Sequence, residues 1–176
     1  MTIILDNLDK RKAYICLERG TSLISKEIQR LTKQFAPGFK REEIPSHIFM
    51  LVYEKPNWII YESHMKAIKE FEIPSGVRSY KTDYPFVQKV LKRSSCYPVK
   101  LNRKTMRSHI GEAYGVKDII ELAKVCIKRT NGSQADKPGL ICSEYAALCF
   151  KDIQRVFKLP AHCITPAHFL CYFTSK

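Results

Sequence analysis

The chain has 176 residues, 45% of them apolar, which is enough for one domain (residues 1–176) with its own hydrophobic core. Thirty Lys and Arg against seventeen Asp and Glu give a formal net charge of +13, which favours anionic partners without naming one. No run reaches the roughly eighteen apolar residues of a transmembrane helix, and the start, Met1-Thr2-Ile3-Ile4-Leu5-Asp6, lacks the basic, apolar and cleavage regions of a signal peptide, so a cytoplasmic protein is expected.

In chain order, Lys12 to Glu18 has the mixed apolar character of a short strand and runs into the turn residues Arg19-Gly20. Thr21 or Ser22 then caps a predicted helix in which Leu23, Ile24, Ile28 and Leu31 recur at helical spacing until Pro37-Gly38. His47 to Tyr53 and Trp58 to His64 are two β-rich runs around Glu54-Lys55-Pro56-Asn57, hence a hairpin. Both runs are apolar nearly throughout, which predicts cover on both faces. Val77 to Tyr80 reads as a further short strand after Pro74-Ser75-Gly76. Helices are predicted from Asp83 to about Arg93 and over Val116 to Ile127, followed by a loop from Asn131-Gly132-Ser133 to Pro138-Gly139. A helix-forming run opens at Cys142 and extends to about Phe157, and Thr165-Pro166 supplies the cap and first-turn proline of a last helix.

Seven cysteines, at 16, 96, 126, 142, 149, 163 and 171, show no paired spacing and are expected to be free thiols. His162-Cys163 with Cys171 is the nearest approach to a zinc pattern and lacks a second pair, so no metal or other cofactor is expected. Between Asp83 and Glu112 lie Lys89, Lys92, Arg93, Lys100, Arg103, Lys104 and Arg107 with no acidic residue, either a solvated face or a surface for an anionic partner.

Cys142 stands out among the thiols because a Pro-Gly turn and two apolar residues deliver it to a helix start, where unpaired amide hydrogens and the helix dipole favour a thiolate. Cys149, one to two turns further on, reads as a buried structural thiol. Of the five histidines only His47 and His64 lie on predicted strands. Pairing Tyr53 with Trp58 sets Phe49 opposite Glu62 and His47 opposite His64, which places His47, Glu62 and His64 on one face with Glu62 diagonal to His47. A carboxylate there accepts the hydrogen of one imidazole nitrogen and leaves the other for a thiol, the arrangement of a nucleophile, a base and an orienting acid.

The order Ser46-His47-Ile48, Tyr61-Glu62-Ser63, Gly76-Val77 and Ile141-Cys142-Ser143-Glu144-Tyr145 resembles the YiiX and YebB-like branch of the NlpC superfamily, nearly end to end. Arg19-Gly20, Gly111-Glu112-Ala113-Tyr114-Gly115 and Thr165-Pro166 are similar to the opening, the G-x-P-Y segment and the closing T-P of that branch, although Ala113 replaces the proline. The resemblance implies an α+β, circularly permuted papain-like fold: an antiparallel sheet packed against helices, one of which starts at the nucleophile. It implies Cys142 as nucleophile, His47 as base and Glu62 as third member, with His64 the alternative for that place, and Tyr114 and Ser143 beside the oxyanion. It further implies a hydrolase or acyltransferase acting through a thioester on a peptide, peptidoglycan-fragment or lipid-like substrate. The alternatives are a basic module that binds nucleic acid or another polyanion, and an inactive interaction protein on the same fold.

Overall fold

A computed structural model describes residues 4–115 and 139–175. The expected helix at Val116–Ile127 and most of the loop after it lie outside the described residues.

Five strands, β1 (Ala13–Glu18), β2 (His47–Glu54), β3 (Asn57–His64), β4 (Gly76–Lys81) and β5 (Ser94–Val99), form one antiparallel sheet in the order β4-β3-β2-β1-β5. The helices are α1 (Leu23–Thr32), α2 (Pro85–Lys92), α3 (Arg103–Ser108), α4 (Cys142–Cys149), α5 (Asp152–Phe157) and α6 (Pro166–Thr174). This α+β architecture agrees with the class read from the sequence.

Side-chain alternation along the central strands feeds two cores. Ile15, Leu17, Ile48 and Met50 join Tyr145, Ala146, Cys149, Ile153, Phe169 and Leu170 of α4, α5 and α6 on one face. On the other, Tyr14, Cys16, Phe49, Leu51 and Ile60 pack with Val87 and Leu91 of α2. The nearly continuous apolar runs of β2 and β3 are thus explained, since both faces are buried.

The hairpin register is the expected one, with Tyr53 opposite Trp58 and Phe49 opposite Glu62. Ser22 caps α1 by accepting from the Ser25 amide at 3.1 Å, and α6 begins with Pro166 after a capping box of Thr165 and His168.

Two expectations are corrected. The cysteines are not all free, because Cys16 and Cys96 are joined by a disulfide; they face each other across β1 and β5, a pairing invisible while β5 went unread. The run from Cys142 is two helices, interrupted at Phe150, whose φ of −125° and ψ of 78° leave the helical region. The helix expected after Ser22 is present as α1, with Gln29 and Thr32 buried, Leu23 85% exposed and Ile24 45% exposed. Among the described residues no helix is long and apolar enough to cross a membrane.

Candidate active site

Glu62 lies toward the end of β3, with Phe49 opposite on β2 and Arg78 opposite on β4. Its Oε2 accepts a hydrogen bond from His47 Nε2 at 2.6 Å. Its Oε1 accepts from Arg78 Nε at 2.9 Å, Arg78 Nη2 at 2.6 Å and the Tyr80 hydroxyl at 2.8 Å. The remaining terminal nitrogen of Arg78 donates to the carbonyls of Lys66 at 2.7 Å and Pro74 at 2.8 Å. A buried ion pair offsets its desolvation only when such secondary bonds are complete, and here they are. Arg78 and Tyr80 were missed in the sequence reading, although their spacing of two on a predicted strand already put them on one face.

Cys142 lies close enough to His47 to act on its ring by charge and hydrogen bonding. Since Glu62 occupies Nε2, Nδ1 is the nitrogen left for sulfur. Burial alone disfavours the imidazolium, but the charge and hydrogen bond of Cys142, reinforced by Glu62, hold the His47 pKa well above its ordinary 6.5. Burial likewise opposes ionisation of Glu62, and is outweighed by the hydrogen bond and charge of His47 and by the charge of Arg78, so its pKa is lowered.

Two connections bring Cys142 to this place. The segment 111–115 runs along the sheet edge, where the Val77 amide donates to Glu112 O and the Gly111 amide to Val77 O, both at 2.8 Å. The Leu140 amide then donates to Ala113 O at 3.0 Å. Gly139, at φ +110°, permits this approach, because a Cβ there would stand 2.6 Å from Ala113 O. From the sheet, the fully buried Ser63 hydroxyl donates to Leu140 O, two residues before Cys142. The cap residue Ile141 offers α4 no side-chain acceptor, so the first amides of that helix are left to other partners.

His47, His64, Tyr114 and Cys142 line one cavity of about 510 Å³. Leu23, Ile24 and Ile28 of α1 form an apolar wall of the same cavity, and Glu18 and Lys66 also reach it. Tyr114 is thereby brought to the site despite its distance in sequence. Ser143 is not among the lining residues: it is fully buried and its hydroxyl has no hydrogen-bond partner among the described residues. His64 does not take the orienting position either, since Glu62 holds His47; the two imidazoles meet edge to face with centroids 5.1 Å apart. Among the described residues no group of three or more His, Cys, Asp or Glu is arranged to hold a metal ion.

The basic side chains expected to face an anionic partner, Lys89, Lys92, Arg93, Lys100, Arg103, Lys104 and Arg107, are all exposed. Among the described residues two are matched by acids, Arg93 by Glu18 at 2.5 Å and Arg107 by Glu54 at 2.7 Å.

No protein-family model matches the chain, and no curated protein or solved structure matches it.

Proposed function

We propose that this protein is a cysteine hydrolase or acyltransferase with a circularly permuted papain-like fold of the NlpC type, acting on an amide, ester or thioester bond. The observation that carries this reading is His47 held between Glu62 at 2.6 Å and the thiol of Cys142. In this reading the sulfur of Cys142 attacks the carbonyl carbon, His47 protonates the leaving group, and water or a second nucleophile resolves the thioester. Glu62 keeps the ring of His47 oriented, and amide hydrogens at the start of α4 meet the oxyanion, with Tyr114 beside them. The apolar wall of Leu23, Ile24 and Ile28 suits a peptide or lipid-like substrate that carries an apolar group next to the reacting carbonyl.

The test is turnover of a panel of amides, esters and thioesters by wild type and Cys142→Ala, together with labelling by iodoacetamide near neutral pH. Turnover that Cys142→Ala reduces by about 1,000-fold or more is expected, along with labelling of Cys142 faster than of an unfolded-peptide thiol. Equal labelling and no Cys142-dependent turnover would leave an inactive interaction protein as the better account. The exposed Lys89, Lys92, Lys100, Arg103 and Lys104 support a second reading, binding of nucleic acid or another polyanion, which is compatible with the first. Affinity that falls steeply with added salt is the result this second reading requires.

A further inference from the structure

The cavity holds a second imidazole that the chemistry above leaves idle. His64 ends β3 and lines the cavity with His47 and Cys142, its ring nearly perpendicular to that of His47 at an interplanar angle of 77°. Its Nδ1 accepts a hydrogen bond from the Lys66 amide at 3.0 Å, which assigns the proton of the neutral ring to Nε2. Burial, and then the neighbouring His47, push the pKa of His64 down to about 4, so the ring is neutral at any ordinary pH. The hydrogen bonds that Glu62 accepts come from His47, Arg78 and Tyr80 and not from His64.

Building on the hydrolase reading, we propose that His64 is a further catalytic residue, its Nε2–H donating a hydrogen bond to the substrate carbonyl oxygen as that oxygen becomes the oxyanion. As the Cys142 sulfur bonds to the carbonyl carbon, the π electron pair moves onto oxygen, where the Nε2–H of His64 meets it. His64 keeps its proton throughout. The pair then returns to re-form the carbonyl, the bond to the leaving group breaks, and the leaving group takes the proton held by His47. A neutral donor suits this position, since a second imidazolium beside His47 would repel it. The Lys66 amide fixes the tautomer before any substrate arrives, which is what preorganisation of a donor requires.

The experiment compares hydrolysis of p-nitrophenyl acetate with the reaction of Cys142 toward methyl methanethiosulfonate, a reagent attacked at sulfur that forms no oxyanion. For His64→Leu the expected fall in kcat/KM on the ester is about 100-fold, carried mainly by kcat. His64→Asn, whose amide reaches only the Nδ1 position, is expected to fall equally, while His64→Gln, whose amide reaches the Nε2 position, recovers part of the rate. The methyl methanethiosulfonate reaction, followed by peptide mass mapping of Cys142, stays within about twofold of wild type in all three. Thermal unfolding of each variant identifies those that fold, and the comparison rests on them. Ester hydrolysis at the wild-type rate in a folded Leu or Asn variant overturns the assignment. A parallel fall in both reactions also overturns it, because His64 would then be supporting His47 or the sulfur. Absence of Cys142-dependent hydrolysis in the wild type overturns the hydrolase reading itself, and this assignment with it.

Discussion

Glu62 makes four hydrogen bonds from a side chain that is 5% exposed, and three of them come from β4. The orientation of His47 therefore depends on a strand that contributes nothing to the cavity wall. Removing one member of a buried pair costs more than the pair itself contributes, because the surviving charge is left without a partner in a poorly polarisable place. Arg78→Leu is accordingly expected to destabilise the fold by about 3–5 kcal/mol, read from urea unfolding, and Tyr80→Phe by only about 1 kcal/mol. An Arg78→Leu variant as stable as the wild type would show that Glu62 is protonated or solvated, and that it does not orient His47 as an anion.

At the scale of elements, the site is a meeting of three: the start of β2, the end of β3 and the first turn of α4. Ser63 is the link between the last two, because it lies on the opposite face of β3 from Glu62 and bonds the Leu140 carbonyl just ahead of Cys142. Ser63→Ala is expected to lower stability by about 1 kcal/mol and to slow the labelling of Cys142 by iodoacetamide, since the approach to α4 loses its anchor on the sheet. Unchanged labelling would mean that the 111–115 segment positions Cys142 alone. Much of this arrangement was legible in the sequence. Pairing Tyr53 with Trp58 across the Glu54–Asn57 turn, the register the structure has, put His47 and Glu62 on a common face by side-chain alternation. The Pro-Gly turn before a helix-forming run marked the start of α4. What could not be read follows from contacts between distant segments. Ser94-Ser95-Cys96-Tyr97-Pro98-Val99 carries a proline and few strong β formers, so β5 and the Cys16–Cys96 bond were missed; β5 is an edge strand, where proline is tolerated. The exposed Leu23 and Ile24 of α1 were indistinguishable from core residues by periodicity, because the cavity they line is visible only in three dimensions.

Across the whole molecule, the sheet separates two cores, and the cavity gathers residues from β2, β3, α1 and α4 that span most of the chain. The exposed positive charge of the 89–107 region is distinct from that cavity, since none of its side chains lines it. Long-range attraction of an anionic partner and chemistry at the thiol are thus separable properties, and mutation of one region leaves the other to be measured. Everything proposed about the chemistry rests on His47 and Cys142 acting as one electrostatic unit. The most direct measurement is the NMR titration of the His47 ring in the wild type and in Cys142→Ala. With sulfur present the ring is expected to stay protonated well above pH 6.5, and in Cys142→Ala, with burial no longer opposed by the sulfur, to lose its proton at distinctly lower pH. An identical His47 titration in the two proteins would contradict the account.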